Sequence, residues 1–208
     1  MSRPPCPQHF DAVLFDFDGV LADTERLHCA CWAEILSPCG IRLEWDWYRD
    51  HCIGVADRAM LATLGGLADP PVTVDALWPL YPNKRSLFRD RAAMRELCPP
   101  DTVALVRSLT NLRLAVVTSS GRAEVEPALV RAGIRDCFQA LVFGEDVARL
   151  KPAPDPYLRA AALLDARRPL VVEDSEAGAE SARAAGFDFI RVAAPDDVPR
   201  AVRARLIS

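Results

Sequence analysis

Five short, largely apolar runs punctuate the chain: Ala12–Phe15, Leu114–Val117, Ala140–Phe143, Leu170–Val172 and Phe187–Val192. A strand with one wet face alternates apolar and polar residues, whereas near-continuous apolarity suits a parallel sheet covered on both faces. Helical spacing fills the intervals. Asp101 is expected to cap a stretch with Val103, Leu105, Val106 and Leu109 on one face. Glu124 to Ala132 is closed by Gly133, Asp155 to Leu164 follows the third run, and Ser175 to Ala185 is closed by Gly186. A glycine just past the last periodic residue is a common helix stop. Strand and helix in alternation predict an α/β fold, a doubly wound, Rossmann-like parallel sheet.

Between the first run and Asp101 this rhythm breaks. Asp23 can cap a helix carrying Leu27, Cys31, Ile35 and Leu36. Further helices are expected near Trp45 to Cys52, from Asp57 to Leu64 before Gly65-Gly66, after Thr73, and from Asn83 to Met94, with Pro79 and Pro82 disturbing the region between. A structureless loop of this length would be unusual in a compact domain. The stretch therefore reads as an inserted α-helical cap, residues 23–96, with the core formed by 1–22 and 97–208. Trp32 is expected in the cap's own core.

Composition narrows the function classes. A net charge of −4 over 208 residues, with scattered basic residues, gives no electrostatic reason to expect nucleic acid or an anionic membrane as partner. Arg200 to Arg205 reads as a solvated helix face. The seven cysteines, Cys6, Cys29, Cys31, Cys39, Cys52, Cys98 and Cys137, form no Cys-x-x-Cys pair and read as free thiols of a reducing compartment. No apolar run approaches the ~20 residues of a membrane span. Met1 to Phe10 lacks the apolar stretch of a signal peptide. A cytoplasmic protein is expected.

Four strand ends carry candidate chemistry. Ala12–Phe15 runs into Asp16-Phe17-Asp18-Gly19. Ligand sites of open α/β sheets lie beyond the carboxyl ends of the strands, and two close carboxylates there call for a cation. A solvated Asp-rich turn is the other reading. Leu170–Val172 ends in Glu173-Asp174-Ser175, where Asp174 or Ser175 serves equally well as a helix cap. Val116-Val117 ends in Thr118-Ser119-Ser120, hydroxyls able to cap a helix or to hold phosphate. Lys151-Pro152 follows Gly144-Glu145-Asp146 and reads alone as a surface lysine. Taken together, carboxylates for a hard cation, hydroxyls for phosphate oxygens and a lysine for residual charge are what phosphoryl transfer needs.

These motifs, in this order, resemble the haloacid-dehalogenase-like superfamily, in its helical-cap branch of phosphoglucomutases and sugar-phosphate phosphatases. The flanks fit as well: Asp18-Gly-Val-Leu-Ala-Asp-Thr-Glu25, Lys151-Pro-Ala-Pro-Asp155 and Glu173-Asp-Ser-Glu-Ala-Gly178. The resemblance implies a Mg²⁺-dependent enzyme acting on a small phosphorylated metabolite. Asp16 would be the nucleophile, forming an aspartyl phosphate. Asp18 would be general acid and then general base. Mg²⁺ would bind Asp16, the Asp18 carbonyl and Asp174, with Glu173 a direct or water-mediated helper. Thr118, the Ser119 backbone and Lys151 would hold the phosphoryl oxygens, Lys151 also offsetting the crowded carboxylates. The cap would close over the site and exclude water. His28 and Lys84 look like substrate-facing cap residues of that branch, a solvated histidine and lysine being the other reading. Arg58 is a third cap contact, shifted by one from the branch's register.

Hydrolysis is the expected outcome of this chemistry. Where a mutase of the branch tends to keep a sugar-holding contact after Thr118, this chain has Gly121. A β-phosphoglucomutase-type mutase and a catalytically weak metal-binding regulatory module are the alternatives. Dehalogenation would leave Asp18 and the acidic pair without a role. A monomer is expected.

Overall fold

The computed structural model describes residues 10–207. Cys6 and the reading of the first nine residues as free of a signal peptide lie outside the described residues. Strand β1 (Ala12–Phe15) leads into five helices: α1 (Glu25–Leu36), α2 (Trp45–His51), α3 (Asp57–Leu67), α4 (Val74–Leu77) and α5 (Tyr81–Ala92). There follow α6 (Pro100–Ser108), β2 (Arg113–Val117), α7 (Arg122–Arg131), β3 (Ala140–Val142), α8 (Asp155–Leu164), β4 (Pro169–Glu173), α9 (Glu176–Ala185), β5 (Asp188–Arg191) and α10 (Val198–Ile207). Two units separate: Met1–Asp23 with Cys98–Ser208, and Thr24–Leu97.

In the first unit all five strands are parallel, in the order β3-β2-β1-β4-β5. This is the doubly wound α/β fold. Central β1 is buried along its whole length, which is why its run is unbroken by polar residues. Ala12 and Leu14 join Val117, Val142, Val171 and Ala182 in a core with Tyr157, Ala160 and Leu164 of α8. Phe15 points to the opposite face and meets Phe138 edge-on, with ring centroids 6.3 Å apart. Edge strand β5 is less covered, and its Asp188 and Arg191 are exposed. The register sets Phe15 beside Val116 and Val172, so β2 and β4 each run just one residue past the end of β1.

The second unit is all helical. Trp32, Leu36, Leu61 and Leu77 are buried at its centre with Tyr48 and Met60. Trp32 also donates its indole N–H to Asp57 Oδ1 at 2.8 Å, satisfying a buried polar group.

Several helix ends differ from the sequence expectation. Thr24, not Asp23, stands at the N-cap of α1, and its side chain makes no capping bond. Asp101 lies inside the first turn of α6, behind Pro99 and Pro100; there it still favours the positive end of the helix dipole. Helix α3 continues through Gly65-Gly66 to Leu67, since burial of Leu61, Leu64 and Gly65 outweighs the weak helix propensity of glycine. Pro82 occupies the first turn of α5, where its missing N–H costs nothing. Among the described residues no helix is long and apolar enough to cross a membrane.

Candidate active site

The neighbouring ends of β1, β2 and β4 deliver three segments to one edge of the sheet. Asp16 follows β1 directly, its N–H bonded to the Val172 carbonyl at 3.0 Å. Its carboxylate is nearly buried and is held through Oδ1, which accepts from the Phe17 N–H at 2.8 Å and lies 3.0 Å from Lys151 Nζ. The chain then turns tightly, with the N–H groups of Leu21 and Ala22 returning to the Phe17 carbonyl. Gly19 adopts φ +72° in this turn, and the Asp174 carboxylate packs against it.

At the end of β4, Glu173 and Asp174 play different parts. Glu173 is fully buried and both its oxygens are engaged. Oε1 accepts from Lys151 Nζ at 2.6 Å and from the Tyr157 hydroxyl at 2.5 Å. Oε2 accepts from the N–H groups of Asp174 (3.2 Å) and Ser175 (3.4 Å) and from the Ser175 hydroxyl (3.2 Å). Such an approach needs Gly178, where a Cβ would fall 1.9 Å from the Glu173 carboxyl. Ser175, not Asp174, caps α9, accepting from the Gly178 N–H at 3.0 Å. Asp174 is thereby released from the capping role and only half-buried.

Carboxylate oxygens of Asp16, Glu173 and Asp174 lie within 4.8 Å of one another, an all-oxygen set that suits a hard divalent cation. Crowding shows in the proton affinities. Burial, followed by repulsion from Glu173, holds the Asp16 carboxyl well above the usual carboxylate range, against the pull of Lys151. Burial alone would depress the Lys151 ammonium, but Asp16 and Glu173 raise it above its ordinary value. Lys151 uses three donors here, the third going to the Val117 carbonyl at 2.9 Å.

From the end of β2, Ser120 donates its hydroxyl to Asp18 Oδ2 at 2.7 Å, with the Thr118 hydroxyl at 3.5 Å from the same oxygen. Thr118 is buried and accepts from the Ser120 N–H at 3.0 Å, while Ser119 is exposed. Asp16, Asp18, Thr118, Lys151, Glu173 and Asp174 thus share one end of the sheet. Sequence reasoning missed two participants. Ser120 was visible in the hydroxyl run, but nothing ranked it above Thr118. Tyr157 carried no local signal, because its partner Glu173 is supplied by a different element, β4.

The three residues expected from the helical unit fall into two groups. His28 and Lys84, far apart in sequence, are both buried, with Lys84 Nζ 2.9 Å from His28 Nδ1. The His28 ring stacks on Phe88 at 4.0 Å, and Lys84 lies 3.9 Å from Asp57. Neither is a solvated surface residue. Arg58 is instead half-exposed, paired with Asp75 at 2.5 Å and lying over the Trp78 ring.

Comparison with known proteins gives this geometry its relatives. Residues 13–192 match the family model of the haloacid dehalogenase-like hydrolases. Protein CbbY of Rhodobacter capsulatus is 34% identical over 198 residues, covering 86% of this chain and 83% of its own. The fructose-1-phosphate phosphatase YqaB of Escherichia coli is 30% identical over 196 residues, covering 89% and 97%. The crystal structure of CbbY from Rhodobacter sphaeroides in complex with phosphate is 30% identical with a TM-score of 0.72, covering 88% of this chain and 85% of that one. With the match running from the middle of β1 to beyond β5, the chain belongs to the haloacid dehalogenase-like hydrolase family and is an enzyme of its phosphatase group.

Proposed function

We propose that the chain is a Mg²⁺-dependent phosphatase that hydrolyses a small phosphorylated metabolite, a sugar phosphate, through an aspartyl phosphate on Asp16. The observation that carries this reading is the placing of Asp16 Oδ1 3.0 Å from Lys151, with Asp18 anchored by Ser120 two residues further on. The sugar-phosphate class is supported by the phosphatase relative YqaB.

Asp16, oriented by the Phe17 N–H and Lys151, attacks phosphorus. Asp18, held by the Ser120 hydroxyl at Oδ2, passes its proton to the leaving alcohol. Asp18 then takes a proton from the water that releases phosphate. Thr118 and the Ser119 backbone hold the phosphoryl oxygens, and Lys151, whose three donors go to Asp16, Glu173 and the Val117 carbonyl, offsets their negative charge from alongside. Asp16, Asp174 and the Asp18 carbonyl are the proposed Mg²⁺ ligands; the engaged oxygens of Glu173 suit a supporting role. Mg²⁺ bound there supplies electrostatic stabilisation of the charge developing on the phosphoryl group.

Residues 23–96 are proposed as the substrate-selecting cap, with His28 and Lys84 as contacts and Arg58 as a weaker candidate. Hydrolysis is favoured over mutase chemistry by the loop after β2. Gly121 has no side chain, and Arg122 is turned toward Glu126 at 3.5 Å, Asp146 at 3.6 Å and the Phe143 ring. The six described cysteines are free thiols, which supports a reducing, cytoplasmic setting, and a monomer is proposed. The test is a screen of phosphorylated metabolites with and without Mg²⁺, reading released phosphate. Metal-dependent release from a sugar phosphate is expected; release from none of them would sink the reading.

A further inference from the structure

Tyr157 stands in the first turn of α8 with its ring fully buried among Ala12, Leu14, Val117 and Val171. Its hydroxyl reaches out of that apolar core to Glu173 Oε1 at 2.5 Å. The same oxygen accepts from Lys151 Nζ at 2.6 Å. Lys151 in turn lies 3.0 Å from Asp16 Oδ1 and 5.0 Å from the centre of the Tyr157 ring. One carboxylate oxygen therefore divides its negative charge between a phenol and an ammonium, and that ammonium divides itself between two carboxylates.

We propose that Tyr157 is a positioning residue for the hydrolysis, its hydroxyl restraining Glu173 so that Lys151 stays on Asp16, with its charge beside the phosphoryl group. Without the hydroxyl, the full charge of Oε1 falls on Lys151. The ammonium is then drawn toward Glu173, away from the reacting atoms. Charged hydrogen bonds are strong enough for such a redistribution to matter. The inference rests on the phosphatase reading.

Tyr157→Phe isolates the hydroxyl, since phenylalanine keeps the buried ring and the cation–π contact. The expected result is a fall in kcat of about tenfold, the loss of one moderate charged hydrogen bond, with KM and the Mg²⁺ activation constant changed less than about twofold. Calorimetric affinity for orthovanadate should weaken by a similar factor. In a Glu173→Gln background, where the shared charge is gone, the same substitution should add nothing. Incorporating 4-aminophenylalanine at position 157 restores a donor and should recover most of kcat; it also serves should the Phe variant fold poorly. Equal losses in both backgrounds, or no recovery with the amino side chain, would mark Tyr157 as merely structural. Undiminished kcat and orthovanadate affinity in an otherwise active enzyme would overturn this inference alone. A wild-type protein inactive on every phosphomonoester would bring down the phosphatase reading and this inference with it.

Discussion

Gly19 leaves a space that the Asp174 carboxylate fills: a Cβ on Gly19 would lie 2.1 Å from Asp174 Oδ2. The two residues come from the ends of β1 and β4, so the tight turn after Asp16 and the acidic end of β4 are parts of one steric arrangement. Gly19→Ala should push Asp174 aside and also strain a backbone held at φ +72°. Loss of support around a metal ligand costs about 10–100-fold in metal affinity. A Mg²⁺ titration of activity should show a shift of that order, together with a small drop in melting temperature. An unchanged Mg²⁺ activation constant would remove Asp174 from the ligand set.

Asp16→Asn should reduce turnover by about a hundredfold or more, as expected when a nucleophile is lost. It should also stabilise the metal-free protein, for a reason that fixes the sign of a pH effect. Burial and Glu173 raise the Asp16 proton affinity in the folded state. The folded state therefore binds this proton more tightly than the unfolded state, whose carboxyl titrates near about 3.9. Stability from this group is fully present below that value and is lost as pH rises toward the raised folded value. In EDTA, Asp16→Asn should melt a few degrees above wild type at pH 8 and level with it near pH 4. Excess Mg²⁺ should narrow the gap. Thermal melts across that range decide the matter; a wild type at least as stable at pH 8 in EDTA would contradict the electrostatic account.

Asp18→Asn should leave Mg²⁺ affinity nearly unchanged, because the proposed ligand is the backbone carbonyl, and should slow turnover by about 10²–10⁴-fold. Activity loss that merely tracked metal affinity would count against acid–base catalysis.

Ser120→Ala removes the hydroxyl 2.7 Å from Asp18 Oδ2. Steady-state kinetics should show kcat lowered by about tenfold, the value of one hydrogen bond to a charged group. Full activity would mean that Asp18 is oriented by other contacts.

Reaction outcome can be read directly. With β-glucose 1-phosphate and a trace of β-glucose 1,6-bisphosphate, the product should be inorganic phosphate and free sugar. Glucose 6-phosphate accumulating faster than inorganic phosphate would make the chain a mutase, despite Gly121 and the engaged Arg122.

The sequence by itself determined the sheet and the identity of its chemical edge. Strands buried on both faces must be apolar throughout, so β1 to β4 announced themselves, and Asp16, Thr118 and Glu173-Asp174 were legible because each directly follows or ends such a run. Helix ends were less legible. Asp23 and Asp101 had suitable chemistry for capping, yet Thr24 and Pro99 took those places, and α3 ran through two glycines because packing outweighed propensity. Only the tertiary structure decided how the polar groups share partners. Ser175 rather than Asp174 caps α9, with its hydroxyl set between the Gly178 N–H and the Glu173 carboxyl. The Tyr157–Glu173–Lys151–Asp16 chain joins α8, β4, the loop before α8 and the end of β1, and the pairing of His28 with Lys84 joins α1 to α5. A strand's burial is written in its own residues, whereas a hydrogen bond between elements depends on where each backbone sets its side chain, and that is settled only when the elements pack.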